Sequence, residues 1–289
     1  MTLTHSDSDS GLKSTELYSE SICGYSVSQK IRSKVRDLTV EFLSINKHID
    51  RSVSCIQFPY YHHVYADEVK DFERQLNYLK NYGDFISIDH AVEILHSKSP
   101  INGRYFCLTF DDGQLCCYKY ALPVLAKLSI PGTFYIVTEF VGKSFTPDSK
   151  ITRDVFGYRG IKTTLDFMSW DQCREALSAD ITIGSHSVSH TRLSVLTDNE
   201  VNFELLGSKN KIEDNIGRQC IHFCAPYGIP SRDFNIITHG RLARDIGYIS
   251  FATGSRGINE LGDSPLELRR DHLLASWSNN QLKYFLAKP

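Results

Sequence analysis

Eight short runs rich in aromatic and β-branched residues punctuate the 289-residue chain, at about 54–60, 85–88, 105–110, 132–137, 181–184, 220–224, 248–252 and 266–270, with helical stretches between them. Strands separated by helices cannot close tight hairpins with one another, so the alternation predicts a parallel sheet covered by helices, an α/β chain. Two helix starts are explicit. Ser169 with Gln172 reads as a capping box opening a helix through about Ser178, and Thr197 with Glu200 opens another that Gly217 would close. At this length the chain holds one barrel or two smaller domains; 41% hydrophobic content supplies a sizeable core, and no internal linker is visible.

Two of the predicted strands end in residues able to hold a cation. Leu108-Thr109-Phe110-Asp111-Asp112-Gly113 closes an apolar run with paired carboxylates, and His186-Ser187-Val188-Ser189-His190 follows the run at 181–184. Loops leaving the carboxyl ends of parallel strands are where barrels place their chemistry. One carboxylate and two imidazoles suit a divalent ion of intermediate hardness and leave coordination positions open, which points to hydrolysis. Neighbouring residues at a strand end face different ways. Asp112 is therefore assigned to the metal, and Asp111 to the water that the ion would activate, as general base. The four-residue spacing would place His186 and His190 on one face of a helical turn. Taken singly, an Asp-Asp-Gly triplet or a lone histidine also reads as an ordinary polar loop; two such motifs at strand ends together favour the metal site.

With these motifs the chain resembles the polysaccharide deacetylases, the NodB-homology group also called carbohydrate esterase family 4, whose motifs T-F-D-D-G and H-S/T-x-x-H stand here unaltered. The resemblance runs from about Ser54 to about Leu286 and includes Gly132-Thr133-Phe134-Tyr135-Ile136-Val137, Met168-Ser169-Trp170-Asp171 and Ala225-Pro226-Tyr227-Gly228. It implies a distorted (β/α) barrel of about seven parallel strands. It also implies a divalent ion on Asp112, His186 and His190, Zn²⁺ first with Co²⁺ or Fe²⁺ as alternatives, and removal of an N-acetyl or formyl group from an amino sugar. In many members an arginine opens the third motif and holds the catalytic aspartate, whereas Cys224 stands there in this chain. Arg270, beside Arg269, is the candidate replacement; the alternative is that both arginines form surface ion pairs, each worth little. His272 is the one late candidate for the histidine that protonates the leaving amine, although its flanks do not match the motif. His62 and His63 resemble the Tyr-His that ends the first barrel strand in some branches. Tyr227 matches a residue whose backbone N–H helps stabilise the oxyanion. These departures leave a hydrolase of a cyclic ureide or imide, and a non-catalytic glycan-binding barrel, as alternatives.

Charge is nearly balanced, with 32 basic and 34 acidic residues, so the whole chain carries no nucleic-acid or membrane-surface footprint, and glycan or small-molecule substrates fit better. Eight cysteines lie outside any Cys-x-x-Cys pair, a usage that favours a reducing cytosol. The first residues lack a basic start and an apolar core, and no later run approaches the roughly 18 apolar residues of a membrane span. The expectation is a cytoplasmic enzyme acting on an N-acetylated sugar or sugar conjugate on a nucleotide or lipid carrier. The passage at 259–270 resembles deacetylases of bacterial surface-polysaccharide biosynthesis, which turns the expectation toward O-antigen or capsule sugars. Residues 1–25 read as a mobile tail rich in Ser, Asp and Glu, 26–50 as an amphipathic helix and 51–289 as the barrel. Within 26–50, Val27, Ile31, Val35, Leu38, Phe42, Ile45 and Ile49 recur at spacings of four and three. That apolar stripe is expected to pack on the barrel's outside or, alternatively, to form a coiled-coil homodimer contact. The long polar segment 142–165 reads as a loop over the pocket.

Overall fold

The structure is a computed structural model that describes residues 11–97 and 99–287. Twelve strands are present among these residues: β1 (Cys55–Gln57), β2 (Pro59–Tyr61), β3 (Asp84–Phe85), β4 (Arg104–Phe106), β5 (Leu108–Phe110), β6 (Gly132–Ile136), β7 (Ser144–Phe145), β8 (Leu165–Asp166), β9 (Ile181–Ser185), β10 (His222–Cys224), β11 (Ser250–Ala252) and β12 (Asp271–His272). Seven of them form one sheet in the order β11-β10-β9-β6-β5-β2-β12, every pair parallel. Its two edges meet through the backbone of residues 268–270. Leu268 N–H donates to the Phe251 carbonyl (2.9 Å), Thr253 N–H to that of Leu268 (3.0 Å), and Arg270 N–H to that of Ser255 (2.7 Å). The sheet thereby curls into the distorted (β/α) barrel of about seven strands that the sequence led one to expect.

Local chemistry explains where the predicted strands were too long. The runs at 54–60 and 105–110 each break at one residue, Phe58 and Cys107, so that β1 and β3 flank β4 in a separate three-stranded sheet while β2 and β5 enter the barrel. The run at 85–88 stops early because the Ser87 side chain accepts from His90 N–H and caps the helix Ile88–His96. The expected strand at 266–270 is instead a short turn at Pro265–Glu267, capped by Ser264, followed by β12. Proline has no N–H to give a ladder, and the Ser264 side chain draws Leu266 N–H into the turn. Both capping boxes open the helices expected of them, Trp170–Leu177 after Ser169 and Asp198–Asn202 after Thr197; Gly217, left-handed at φ 67°, ends the continuation at Ser208–Ile216.

Alternate strand residues divide between two apolar clusters, as a period of two demands. Phe110, Phe134, Ile183, Phe223 and Phe251 join the cluster that includes the helices' buried faces. Phe58, Tyr135, Cys224, Ala252 and Leu268 join Ile88, Val92 and Leu95 in the second. Burying each large apolar side chain contributes roughly 1.5–3 kcal/mol, which holds the strand ends in fixed register around the site.

The amino-terminal region departs from expectation. Of residues 1–25, read as a mobile tail, positions 1–10 lie outside the described residues, whereas the remainder lies along the barrel, with Thr15 N–H donating to the Thr164 carbonyl (3.0 Å) and Ser21 buried. The helix Val27–Leu43 forms, but its stripe is not laid on the barrel: Val27, Ile31, Val35, Leu38, Phe42 and Ile45 are exposed, and only Ile49 is buried. Val40 and Ser44 face the body instead. The eight cysteines form no disulfide bond, and seven of them are buried. No described helix is long and apolar enough to cross a membrane.

Candidate active site

Asp111 and Asp112 follow β5 directly, and His186 follows β9, so barrel register alone sets the two motifs side by side. The expected helical turn between His186 and His190 is absent. Ser187 (φ 68°) and His190 (φ 62°) are left-handed, and the chain folds back as a loop. That loop is pinned by a residue the sequence did not single out. Buried Glu204 accepts from Val188 N–H (2.8 Å), Ser189 N–H (2.9 Å) and the Ser189 hydroxyl (2.6 Å), while Ser187 Oγ accepts from His190 N–H (3.0 Å). Asp112 (φ 73°) and Tyr227 (φ 63°) are left-handed too, so four of the seven non-glycine residues with positive φ among the described residues cluster here. Such conformations cost on the order of 1 kcal/mol each and persist only where surrounding contacts enforce them.

Asp112 Oδ1 lies 3.4 Å from His186 Nε2 and 3.3 Å from His190 Nε2, yet has no well-formed hydrogen bond, and all three residues are buried. One ligand atom from each falls within 4.8 Å of the others. His186 Nδ1 donates to the Cys224 carbonyl at 2.8 Å, which orients the ring with Nε2 toward Asp112. Burial would raise the Asp112 pKa, but the two imidazoles outweigh it and hold the carboxyl well below the usual range. A buried carboxylate oxygen without a donor, faced by two imidazole nitrogens, fits a divalent cation.

Arg270 reaches Asp111 from the barrel seam. Its Nη1 donates to Asp111 Oδ1 and its Nη2 to Oδ2, both at 2.8 Å, and further bonds run to the Thr253 carbonyl (2.8 Å), Thr109 Oγ1 (3.1 Å) and Cys224 Sγ (3.0 Å). Burial, the largest influence, raises the Asp111 pKa, but Arg270 together with His186 and His62 outweighs it, so the carboxyl is held below its ordinary value and stays ionised. Cys224, where the family pattern places an arginine, thus borders the space that Arg270 fills. Arg269 points away and pairs with Asp263 at 2.9 Å.

His62 Nδ1 and His272 Nε2 are 3.1 Å apart, and burial lowers the pKa of both, His272 well below the usual value. His63 lies against Glu68 (3.2 Å) and stacks between Tyr18 and Tyr65. The Tyr227 ring packs between His190 and the Arg192 guanidinium, which sits 3.9 Å from its centre. The turn beneath it needs Gly228: φ is 81°, and an added Cβ would stand 2.7 Å from Gly254 N. Every candidate named from the sequence, Arg270 and His272 included, lines one cavity of about 310 Å³. Phe156 and Tyr158, from the segment read as a loop over the pocket, line it as well. So do Tyr18, Tyr25 and Arg36, which the sequence gave no motif to find.

The polysaccharide deacetylase family model matches residues 98–248, just over half of the chain. The chain belongs to this family. The matched stretch contains Asp111, Asp112, His186, His190 and Tyr227, and ends before Arg270 and His272. Among curated proteins, YxkH of Bacillus subtilis (strain 168), whose name places it with the polysaccharide deacetylases, is 26% identical over 152 residues, 52% of this chain and 46% of that protein. The chain therefore matches less than half the length of that relative. Solved structures share the fold: IcaB of Ammonifex degensii (TM-score 0.66, 22% identity, 81% of this chain and 98% of that one) and the Streptococcus pyogenes deacetylase PplD in complex with acetate (TM-score 0.62, 20% identity, 82% and 99%). The deacetylase domain of Bordetella bronchiseptica BpsB is similar as well (TM-score 0.60, 20% identity, 78% and 97%).

Proposed function

We propose that this chain is a divalent-metal-dependent N-deacetylase that removes an acetyl, or alternatively a formyl, group from an amino sugar on a nucleotide- or lipid-linked precursor of a bacterial surface polysaccharide, and that it acts in the cytoplasm. The observation that carries the reading is the arrangement of Asp112, His186 and His190 around one point, with an arginine-held carboxylate, Asp111, in the adjoining position. A cation held by the three ligands, Zn²⁺ first by donor type with Co²⁺ and Fe²⁺ accepted by the same set, would polarise the acyl carbonyl and acidify a water.

The chain's own groups account for the remaining steps. Asp111, kept ionised and aimed by Arg270, takes a proton from the attacking water as the new C–O bond forms. The Tyr227 backbone N–H, presented by a left-handed turn, donates to the oxyanion that develops. As the amide C–N bond breaks, the proton that Asp111 took from the water passes to the leaving nitrogen, with His272, neutral in its buried setting and hydrogen-bonded to His62, as the relay that hands it on. Carboxylate and free amine are the products. A barrel that only binds glycan drew its support from the missing third-motif arginine, and the bidentate Arg270–Asp111 contact removes that support. Seven buried cysteines outside any disulfide favour the reducing compartment.

The deciding assay measures acetate released from N-acetylated nucleotide sugars and chitin oligomers by the metal-loaded protein beside Asp111→Asn. Release by wild type that the variant loses supports the reading. Equal, negligible release by both across the panel would sink it.

A further inference from the structure

The helix Val27–Leu43 has two faces of opposite character. Toward the body it buries Val40, and its two acids are engaged by the carboxyl-terminal region: Trp277 Nε1 donates to Asp37 at 3.4 Å, and Ser278 Oγ and Asn280 Nδ2 donate to Glu41 at 2.6 and 2.8 Å. The outward face carries Val27, Ile31, Val35, Leu38 and Phe42, each 56–74% exposed, and Ile45 extends it at 60%. At roughly 100° per residue these side chains fall within one arc of about 80°. Lys30 and Lys34 flank the arc on one side and Arg32 on the other, all exposed. Glu41 shares the edge of Lys30 and Lys34, but Ser278 and Asn280 hold its carboxylate toward the body, so the free charges along the outward face are cationic.

That charge pattern selects the occupant. A second copy laid on the stripe would set lysines and arginine against their own counterparts, where coiled coils place complementary charges. An acidic surface satisfies both the apolar arc and its basic edges. We propose that Val27–Leu43 lies flat on an anionic lipid bilayer, its apolar side chains in the interface and Lys30, Arg32 and Lys34 against the headgroups. Arg36, one turn farther along the same helix, lines the site cavity, as do Tyr18 and Tyr25 from the segment leading into it. Arg36 lies on the body side of the helix, so docking would place the cavity behind the helix and near the bilayer at which a lipid-carried amino sugar presents its headgroup. This last step rests on the deacetylase reading; the docking does not.

The test pellets the full-length protein with sucrose-loaded vesicles of phosphatidylcholine alone or with roughly a third phosphatidylglycerol. Anionic vesicles are expected to bind at least ~10-fold more protein, with the difference shrinking as salt is raised. The double variant Leu38→Gln, Phe42→Gln is expected to lose ~10-fold in binding, and Lys30→Glu, Lys34→Glu to lose the preference for anionic lipid, both with unchanged circular dichroism and unchanged acetate release from soluble substrate. Wild type that ignores both vesicle types, or variants that bind as wild type does, would overturn the proposal. So would a lipid-free dimer that the apolar substitutions dissolve. Vesicle binding without any acetate release would uphold docking and remove the deacetylase reading instead.

Discussion

Asp111 stands between burial, which favours its protonated form, and Arg270, which favours the anion. If it is the base, Asp111→Asn should lower kcat by about 10²- to 10⁴-fold in acetate-release assays while metal content stays at the wild-type level. Arg270→Gln tests the other side of the balance. Without the guanidinium the chief influence opposing burial is lost and the carboxyl pKa rises, so the acid limb of the kcat/KM profile should move to higher pH; an unmoved limb would deny Arg270 its hold on the base. At this scale the site was partly open to reading. Asp112, His186 and His190 stood in contiguous motifs, and Arg270 was reachable by asking what could replace the residue that Cys224 displaces. Glu204 and Arg36 were not, since a glutamate and an arginine on amphipathic helices carry no mark of the distant loop or cavity they reach.

Alternation of strand and helix survived as architecture, while strand boundaries moved. Breaks at Phe58 and Cys107 are invisible in an apolar run, because composition there does not change; what changes is the neighbour available for pairing. At 265–270 the proline and the Ser264 cap were visible signals that outweigh β-propensity. The turn Ala225–Gly228 offers a test at this level. Gly228→Ala would force a Cβ against the Gly254 backbone at a left-handed φ, and should destabilise the fold by roughly 1–3 kcal/mol and depress activity more than a surface glycine such as Gly142 replaced in the same way. β12 offers another. Asp271 Oδ2 is buried without a partner, and burial pushes its pKa up to about 6, Arg256 notwithstanding. Its folded pKa lies above the unfolded one, so the cost of holding it ionised is absent well below pH 4 and complete above about 6. Asp271→Asn should therefore stabilise the protein by about 2 kcal/mol at pH 8 and by less at pH 5, as read from melting curves at the two pH values.

Over the whole molecule, a cation at the proposed centre would tie Asp112 to His186 and His190, which stand more than seventy positions farther along the chain. Chelation should lower Tm by several degrees and Zn²⁺ should restore it, since a ligand at a hundredfold excess over its Kd stabilises the native state by about 2.7 kcal/mol. His190→Ala should melt at the same temperature with and without chelator. Near-neutral total charge also misleads at this scale, because it averages over a helix whose free outward charges, at Lys30, Arg32 and Lys34, are basic. The joint at residues 268–270 has two duties. It is both the stitch that shuts the ring and the stem from which Arg270 reaches Asp111. Fraying there would open the wall and let the base drift in a single event, so thermal inactivation should keep pace with amide exchange at Leu268 and Arg270, well before the far side of the cylinder begins to melt.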